Sequence, residues 1–487
     1  MRRVCPWMCT AAGLGLVAGF ARLPESGLRF LDSWCYARVS VEMLLSGDWV
    51  VPSWQGEVFL EKPPLLFWLT ALIYRITGVS EFGASVLAGA SVLGCVLIVY
   101  LLGARAAGRP AGLMGAVLLC LLPMFIKWGR TYTTDPLFTL LCMAALACAW
   151  YATQKPHTWP AAGALAAFAV LSRGAATLPL LMALAVLICL QGQGVREPRR
   201  RWVWGGVALL LFLAIVVPWH WLAYERTGDL FLDTYVGVHT VQRLQSNLID
   251  SARADDPIYY LKHLARTGWP GLAFILWGLV RLKRAWRPCF DPAGLLDRTL
   301  LAYLACQVVM LAVVASRSPR YLLPLYPPLA LLAARGLVHG INECASERLR
   351  RWSAAGLVLA TVVIAVWPGT IGTPRGRPFR SLAQAVEPMG ADIVLGVDPA
   401  LRDPWFDRAF WFYLGRSPGS LTGAGVSMAL PERRLRIVPL ERASACEPPA
   451  CRVLKRAAPL ALTAVDITSI RSLGGEDRGH VPCGLAC

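Results

Sequence analysis

Two carboxylates and a set of basic residues draw attention because of where they fall relative to the apolar runs of this chain. Asp32 follows Phe30-Leu31 just after the first run, and Asp135 lies in Thr133-Thr134-Asp135-Pro136 at the mouth of another. An ionisable group beside a bilayer needs a partner or a job. Two carboxylates facing one cavity suit base catalysis or metal binding. Each has a plainer reading: Asp135 as a helix N-cap with Pro136 at the first helical position, Asp32 as a solvated loop residue. Lys62, Arg173, Arg243, Arg317 and Arg320 gather at the same face. Arg and Lys bind phosphate through charge-assisted hydrogen bonds, so an anionic headgroup on a phosphorylated lipid would suit them. Contact with ordinary anionic lipids is the plainer alternative.

Membrane-spanning helices must position these groups. Of the 487 residues, 56% are hydrophobic and 16% charged, against about 25% charge in soluble domains. Crossing a bilayer takes roughly 20 apolar residues, and the unwatered backbone forces helices or a closed barrel. The runs here are continuous rather than alternating, which excludes the barrel. They cover 4–21, 63–79, 83–103, 111–127, 135–152, 159–172, 175–191, 203–222, 267–281, 298–315, 321–338 and 352–369. The net charge of +18 resides largely in connectors: Arg105 and Arg109; Arg196 and Arg199 to Arg201; Arg281, Lys283, Arg284 and Arg287; Arg348, Arg350 and Arg351. That pattern reads as membrane orientation and not as nucleic-acid binding. All four clusters fall inside only if 63–79, which begins Pro63-Pro64 and carries Arg75, lies as an amphipathic helix at the outer face.

The expected fold is an all-α polytopic membrane protein of about eleven spans (range about 11–13), with amphipathic helices in the first external loop. Residues 1–372 form the membrane domain, with external segments at 22–82, 128–134 and 223–266 and around Arg173, Arg317 and Arg320. Residues 373–487 form a small external α/β domain with strands at Ile393–Val397 and Leu435–Val438. Most cysteines sit in apolar runs as small hydrophobes. Cys446, Cys451, Cys483 and Cys487 lie in the polar tail, as two disulfides or as free thiols.

The first external loop holds an ordered series: Asp32-Ser33, Tyr36, Glu42-Met43-Leu44, Gly47-Asp48-Trp49 and Glu61-Lys62-Pro63-Pro64-Leu65. Residues 32–68 thereby resemble the first periplasmic loop of bacterial membrane glycosyltransferases that use polyprenyl-phosphate sugars. The nearest resemblance is to the aminoarabinose transferases that modify lipid A, within the protein O-mannosyltransferase superfamily of the GT-C class. Further matches are Asp135-Pro136-Leu137, Ser172-Arg173-Gly174, Pro218-Trp219, then His239, Gln242 and Arg243, and finally Arg320-Tyr321-Leu322-Leu323-Pro324. The resemblance covers roughly residues 25–340.

It implies a bacterial inner-membrane enzyme that moves a sugar from a polyprenyl (undecaprenyl) phosphate to a lipid A-type, glycan or protein acceptor at the periplasmic face, with inversion. Asp32 would be the principal catalytic carboxylate and Asp135 its support. Lys62, Arg243 and Tyr321, with Arg320 and Arg173, would hold the carrier phosphate. No nucleotide sugar is needed, consistent with the lack of a nucleotide-binding Gly motif. Two departures bear on this. The family's Glu after the first Asp is Ser33 here. Some relatives hold a divalent metal through the Glu of Glu-Lys-Pro-Pro and a C-terminal His; Glu61 is present, but no His lies between His339 and His480. A lipid-carrier flippase would place ionisable residues mid-span and show repeat symmetry, whereas these spans read as nearly free of charge. A catalytically inactive glycan-assembly subunit is the other alternative.

Overall fold

The computed structural model describes most of residues 6–344, together with four strands at 394–397, 433–439, 451–457 and 460–466. The expected last span at 352–369 and Cys446, Cys483 and Cys487 lie outside the described residues. The chain divides into two compact units: Met1–Ser26, Asp48–Val51 and Phe59–Gly372 form the first, and Gly27–Gly47, Pro52–Val58 and Thr373–Cys487 the second.

The first unit is helical. In chain order it contains α1 (Pro6–Phe20), then α3 (Leu65–Thr77), α4 (Glu81–Ala107), α5 (Arg109–Cys120), α6 (Pro123–Gly129), α7 (Thr134–Ala152), α8 (Trp159–Arg173), α9 (Leu178–Gln191) and α10 (Pro198–Thr227). After a one-turn helix at Asp229–Phe231 and a π-helical segment at Leu232–Gln242 come α11 (Tyr259–Thr267), α12 (Gly271–Leu282), α13 (Pro292–Val313) and α14 (Tyr326–Cys344), the last preceded by a 3₁₀ turn at Pro319–Leu325. Helix α2 (Leu31–Ser46), between α1 and α3 in the chain, belongs to the second unit.

Six helical stretches among the described residues are long and apolar enough to cross a membrane, or seven if the bent α5–α6 pair counts as one. The protein is therefore a multi-pass helical membrane protein. The helix α10 shows the lipid-facing case. Trp202 is 72% exposed and Trp221 60% exposed, 19 residues apart, or about 28 Å along a helix axis. That spacing matches the hydrocarbon thickness, with an aromatic residue at each interface. Arg199–Arg201 sit at one end of this belt and Arg226 at the other.

Several spans differ from the sequence expectation. The run 111–127 is not one helix: it bends by 72° between α5 and α6. Pro123 explains the break, since it lacks an N–H and holds Leu122 extended at φ −89°, ψ 105°. The runs 159–172 and 175–191 follow one another through the 3₁₀ turn Gly174–Thr177 with no non-helical residue between them. Packing nevertheless places the two ends of this stretch at one level. Trp159 and Ala162 from its start and Leu187 from its end share a core with Ala149, Ala152 and Leu295, which Leu184 and Leu190 cover. The helices α8 and α9 are thus arms of a hairpin, with Arg173 at its tip. In the first external segment, Ser33 through Met43 of Leu31–Ser46 are all buried. By contrast, α3 buries Leu66, Phe67, Thr70, Ala71 and Tyr74 while Leu72 and Ile76 are exposed.

In the second unit, α2 is accompanied by a short hairpin of β1 (Ser53–Trp54) and β2 (Glu57–Val58). A four-stranded sheet holds β3 (Val394–Val397), β4 (Arg433–Pro439), β5 (Cys451–Ala457) and β6 (Leu460–Asp466) in the order β3-β4-β6-β5. The pair β3/β4 is parallel and the other two are antiparallel. Two of these strands fall at the sites read from sequence, and Cys451 lies on β5.

The spans also carry charge that the sequence reading passes over. Asp297 of α13 and Arg335 of α14 form a buried ion pair, 1% and 3% exposed at their side chains. Arg335 Nη1 also donates to the Ala293 carbonyl at 3.0 Å. Close helix approach supports the same region: a Cβ at Gly336 would run into the Gly278 carbonyl, so α12 and α14 meet backbone to backbone. Removing one partner of a buried pair leaves an uncompensated charge, at about 3–5 kcal/mol, whereas an apolar replacement of both is often close to neutral. Thermal unfolding in detergent should therefore show Asp297→Leu or Arg335→Leu strongly destabilised and the double variant largely restored. A double variant as unstable as the two singles combined would rule out the pair as the source.

Candidate active site

Asp135 is the second residue of α7, whose first turn follows extended Thr133 (φ −151°, ψ 176°). The N-cap is Thr133 and Pro136 is the third helical residue, so the N-cap reading of Asp135 does not hold. Pro136 still occupies the first turn, where a missing N–H costs no helix bond. The Asp135 carboxylate is 2% exposed and faces two guanidinium groups. Arg173, at the tip of the α8–α9 hairpin, pairs with Oδ1. Arg320 Nε lies 3.7 Å from Oδ2. The Thr133 hydroxyl donates to Oδ2 at 3.2 Å. Arg173 also lies over the Tyr321 ring at 4.7 Å and the Phe138 ring at 5.6 Å, and Arg320 lies 5.9 Å from the Tyr321 ring. Four residues singled out from sequence thus converge in one cluster around the buried Asp135 carboxylate. Two cations around one carboxylate leave an excess of positive charge, and the planar guanidinium forks match phosphate oxygens.

The connector before α7 is tied down residue by residue. Arg130, 2% exposed, donates from Nε to the Ala18 carbonyl at 2.5 Å and from Nη2 to the Val17 carbonyl at 2.9 Å. It therefore caps the C-terminal turn of α1, where a cation is favoured. Tyr132 donates from Oη to Thr70 Oγ1 of α3 at 2.8 Å. Thr131 donates to the Lys127 carbonyl of α6 at 2.8 Å. Arg130 had no place in the sequence reading, although a basic residue at the edge of an apolar run was a usable signal.

The loop motifs have structural tasks as well. In the first unit, Asp48 Oδ1 accepts from Val50 N at 2.9 Å, Val51 N at 3.1 Å and Arg226 Nη1 at 3.0 Å. The Trp49 carbonyl accepts from Trp68 Nε1 at 2.7 Å, and the Val50 carbonyl from Trp219 Nε1 at 2.9 Å. Gly47-Asp48-Trp49 thus leads into a turn bonded to α3 and α10. In the second unit, Glu42 accepts from Arg38 Nε at 2.8 Å, Ser53 Oγ at 3.0 Å and Gly56 N at 3.2 Å, clamping the β1–β2 hairpin to α2.

The other sequence candidates are placed as follows. Asp32 is the second residue of α2, in the second unit. Lys62 donates from Nζ to the Glu61 carbonyl at 3.1 Å, just before α3. Arg243 lies outside the described residues. Among the described residues no three His, Cys, Asp or Glu side chains converge as metal ligands, so Glu61 has no such partners there.

Beside the Arg173 turn lies an aromatic group that the sequence reading noted only at Trp219. Trp219 and His220 of α10 pack with Phe231 and Tyr235, with the Phe231 and Tyr235 rings stacked at 5.0 Å. Burial pushes the Tyr235 hydroxyl above the usual tyrosine range, so it keeps its proton.

The exposure of the two kinds of ion pair separates their effects. Asp48 and Arg226 are 38% and 51% exposed, and such pairs contribute about 0–1 kcal/mol. Asp135 is buried and balances two cations. Asp135→Asn should lower thermal stability markedly, and Asp48→Asn should lose little beyond its turn hydrogen bonds. Equal shifts would show that the buried cluster carries no net stabilisation.

The family model for dolichyl-phosphate-mannose-protein mannosyltransferase matches residues 61–221. An undecaprenyl phosphate-alpha-4-amino-4-deoxy-L-arabinose arabinosyl transferase from Pseudomonas savastanoi pv. phaseolicola is 28% identical over 69% of this chain and 62% of its own length. A second such transferase, from Sodalis glossinidius, is 30% identical over 66% of this chain and 59% of its own length. The chain thus spans about 60% of the length of these curated relatives. Among solved structures, ArnT from Cupriavidus metallidurans bound to undecaprenyl phosphate superposes with a TM-score of 0.71 at 21% identity, over 97% of this chain and 99% of that one. The archaeal oligosaccharyltransferase AglB from Archaeoglobus fulgidus gives 0.54 at 13% identity, over 84% and 64%. This chain therefore has the fold of ArnT and resembles the aminoarabinose transferases of the GT-C glycosyltransferase class.

Proposed function

We propose that this protein is a glycosyltransferase that takes a sugar from a polyprenyl (undecaprenyl) phosphate donor and places it on a lipid A-type acceptor at the periplasmic face of a bacterial inner membrane. The observation that carries this reading is the cluster of Arg173, Arg320 and Tyr321 around the buried Asp135, an excess-positive site at one end of an apolar bundle. The curated relatives named above, which act from undecaprenyl phosphate, support it. The membrane domain is 1–372, with about eleven spans, and the tail domain 373–487 lies on the periplasmic side.

In this mechanism an acceptor oxygen bonds to the anomeric carbon as the bond from that carbon to the carrier phosphate breaks, with inversion. The bonding electrons leave on the phosphate oxygen. Asp32 takes the acceptor proton, or orients an acceptor that is already ionised. Lys62, Arg243 and Tyr321, with Arg173 and Arg320, hold the phosphate and stabilise its growing charge. Asp135 supports the reaction by holding the two arginines in place. A divalent metal at Glu61 is a further candidate component, and no nucleotide sugar takes part.

The test is reconstitution of the full chain in vesicles with an undecaprenyl-phosphate aminosugar and lipid A, read by mass spectrometry. Wild type should add a mass of one sugar, and Asp32→Asn should slow transfer by roughly 10²–10⁴-fold. Asp135→Asn should also slow it, by a smaller factor. Full activity of Asp32→Asn would overturn the catalytic assignment. Translocation of the donor without transfer would favour a flippase.

A further inference from the structure

We infer that His220 and Tyr235 are positioning residues that hold the Arg173–Gly174 turn, and through it the guanidinium that faces Asp135. The consequence for donor binding rests on the function proposed above; the positioning does not.

The argument starts from the turn. Gly174 adopts φ 60°, ψ −131°, a region nearly closed to residues with a Cβ. A turn at this glycine has no side chain of its own to fix it. A neighbour does so from outside: a Cβ built at Gly174 would lie 2.8 Å from the Tyr235 hydroxyl oxygen, so that hydroxyl sits against the turn.

The hydroxyl is itself held. His220 Nδ1 lies 2.8 Å from the Val216 carbonyl, and His220 Nε2 lies 3.3 Å from Tyr235 Oη. A carbonyl only accepts, so Nδ1 carries the proton. In the neutral ring Nε2 is then an acceptor, and Tyr235 donates to it. The helix backbone of α10 therefore sets the proton order of the pair. Its lone pairs remain on the side of the hydroxyl away from the histidine. The Tyr235 ring is wedged by stacking on Phe231 and by edge contacts to Trp219 at 5.9 Å and His220 at 5.5 Å. The Asp135 carboxylate faces Arg173, Arg320 and Thr133, so the effect of His220 and Tyr235 on it runs through Arg173.

The variant Tyr235→Phe keeps the ring and removes the hydroxyl. Two readouts apply, both on the full chain in lipid nanodiscs. Amide hydrogen exchange over residues 173–177 should speed up while the melting temperature moves little. The donor KM should rise roughly fivefold, as for loss of one hydrogen bond, with kcat nearly unchanged. In an Arg173→Gln background the same substitution should add no further change in KM, because the residue it acts through is gone. His220→Leu should reproduce the exchange effect. Unchanged exchange in Tyr235→Phe overturns the inference, as does an equal KM shift in the Arg173→Gln background. If wild type uses no undecaprenyl-phosphate donor, the proposed function fails, and the exchange readout alone decides the positioning.

Discussion

A bilayer-embedded bundle tolerates a buried charge only where charged or hydrogen-bonding groups answer it, and for two arginines of this protein the answer is a single carboxylate. Asp135 faces Arg173 from one element and Arg320 from another. Three segments distant in sequence meet there: the start of α7, the tip of the α8–α9 hairpin and the 3₁₀ turn before α14. Taking those cations out of water costs several kcal/mol each unless they are paired. The pairing fixes where these segments end. It also leaves one positive charge in excess, which is a property of use to an enzyme handling phosphate.

The surrounding contacts read as protection of that arrangement. The connector into α7 is bonded to α1 through Arg130, to α3 through Tyr132 and to α6 through Thr131. Tyr321 and Phe138 supply aromatic faces to Arg173, which restrict a long side chain that would otherwise sample many rotamers. At the opposite level of the bundle, Asp297 and Arg335 form a second answered pair near the core that joins the ends of α7, α8, α9 and α13. Charge is thus sorted to the two ends, with apolar and small residues between.

The motif residues of the first loop divide by task. Asp48 and Trp49 build a turn with backbone and indole bonds, and Glu42 clamps a hairpin. Each of these carboxylates accepts three hydrogen bonds from protein groups, as a scaffold carboxylate does. A shared motif in a family of membrane enzymes therefore marks folding needs as much as chemistry. Separating the two takes the list of bonds each side chain makes.

From sequence alone, the helical membrane class, the resemblance to lipid-linked glycosyltransferases and the choice of Asp135, Arg173, Arg320 and Tyr321, which the fold brings together, were legible. Apolar run length and the types of residue at run ends are local properties, and local properties survive in a linear reading. The break at Pro123 was legible in principle too, since proline's lost N–H acts within its own turn. Tertiary structure decided the rest. Only packing shows that Arg173 and Arg320 share one carboxylate, that Asp297 finds Arg335, and that the ends of the 156–190 stretch return to one level. The ion-pair partners lie 38 to 185 residues apart in the chain, and no periodicity encodes a meeting at such separations. It is set by the combined burial of all the helices, which is a property of the fold and not of any segment.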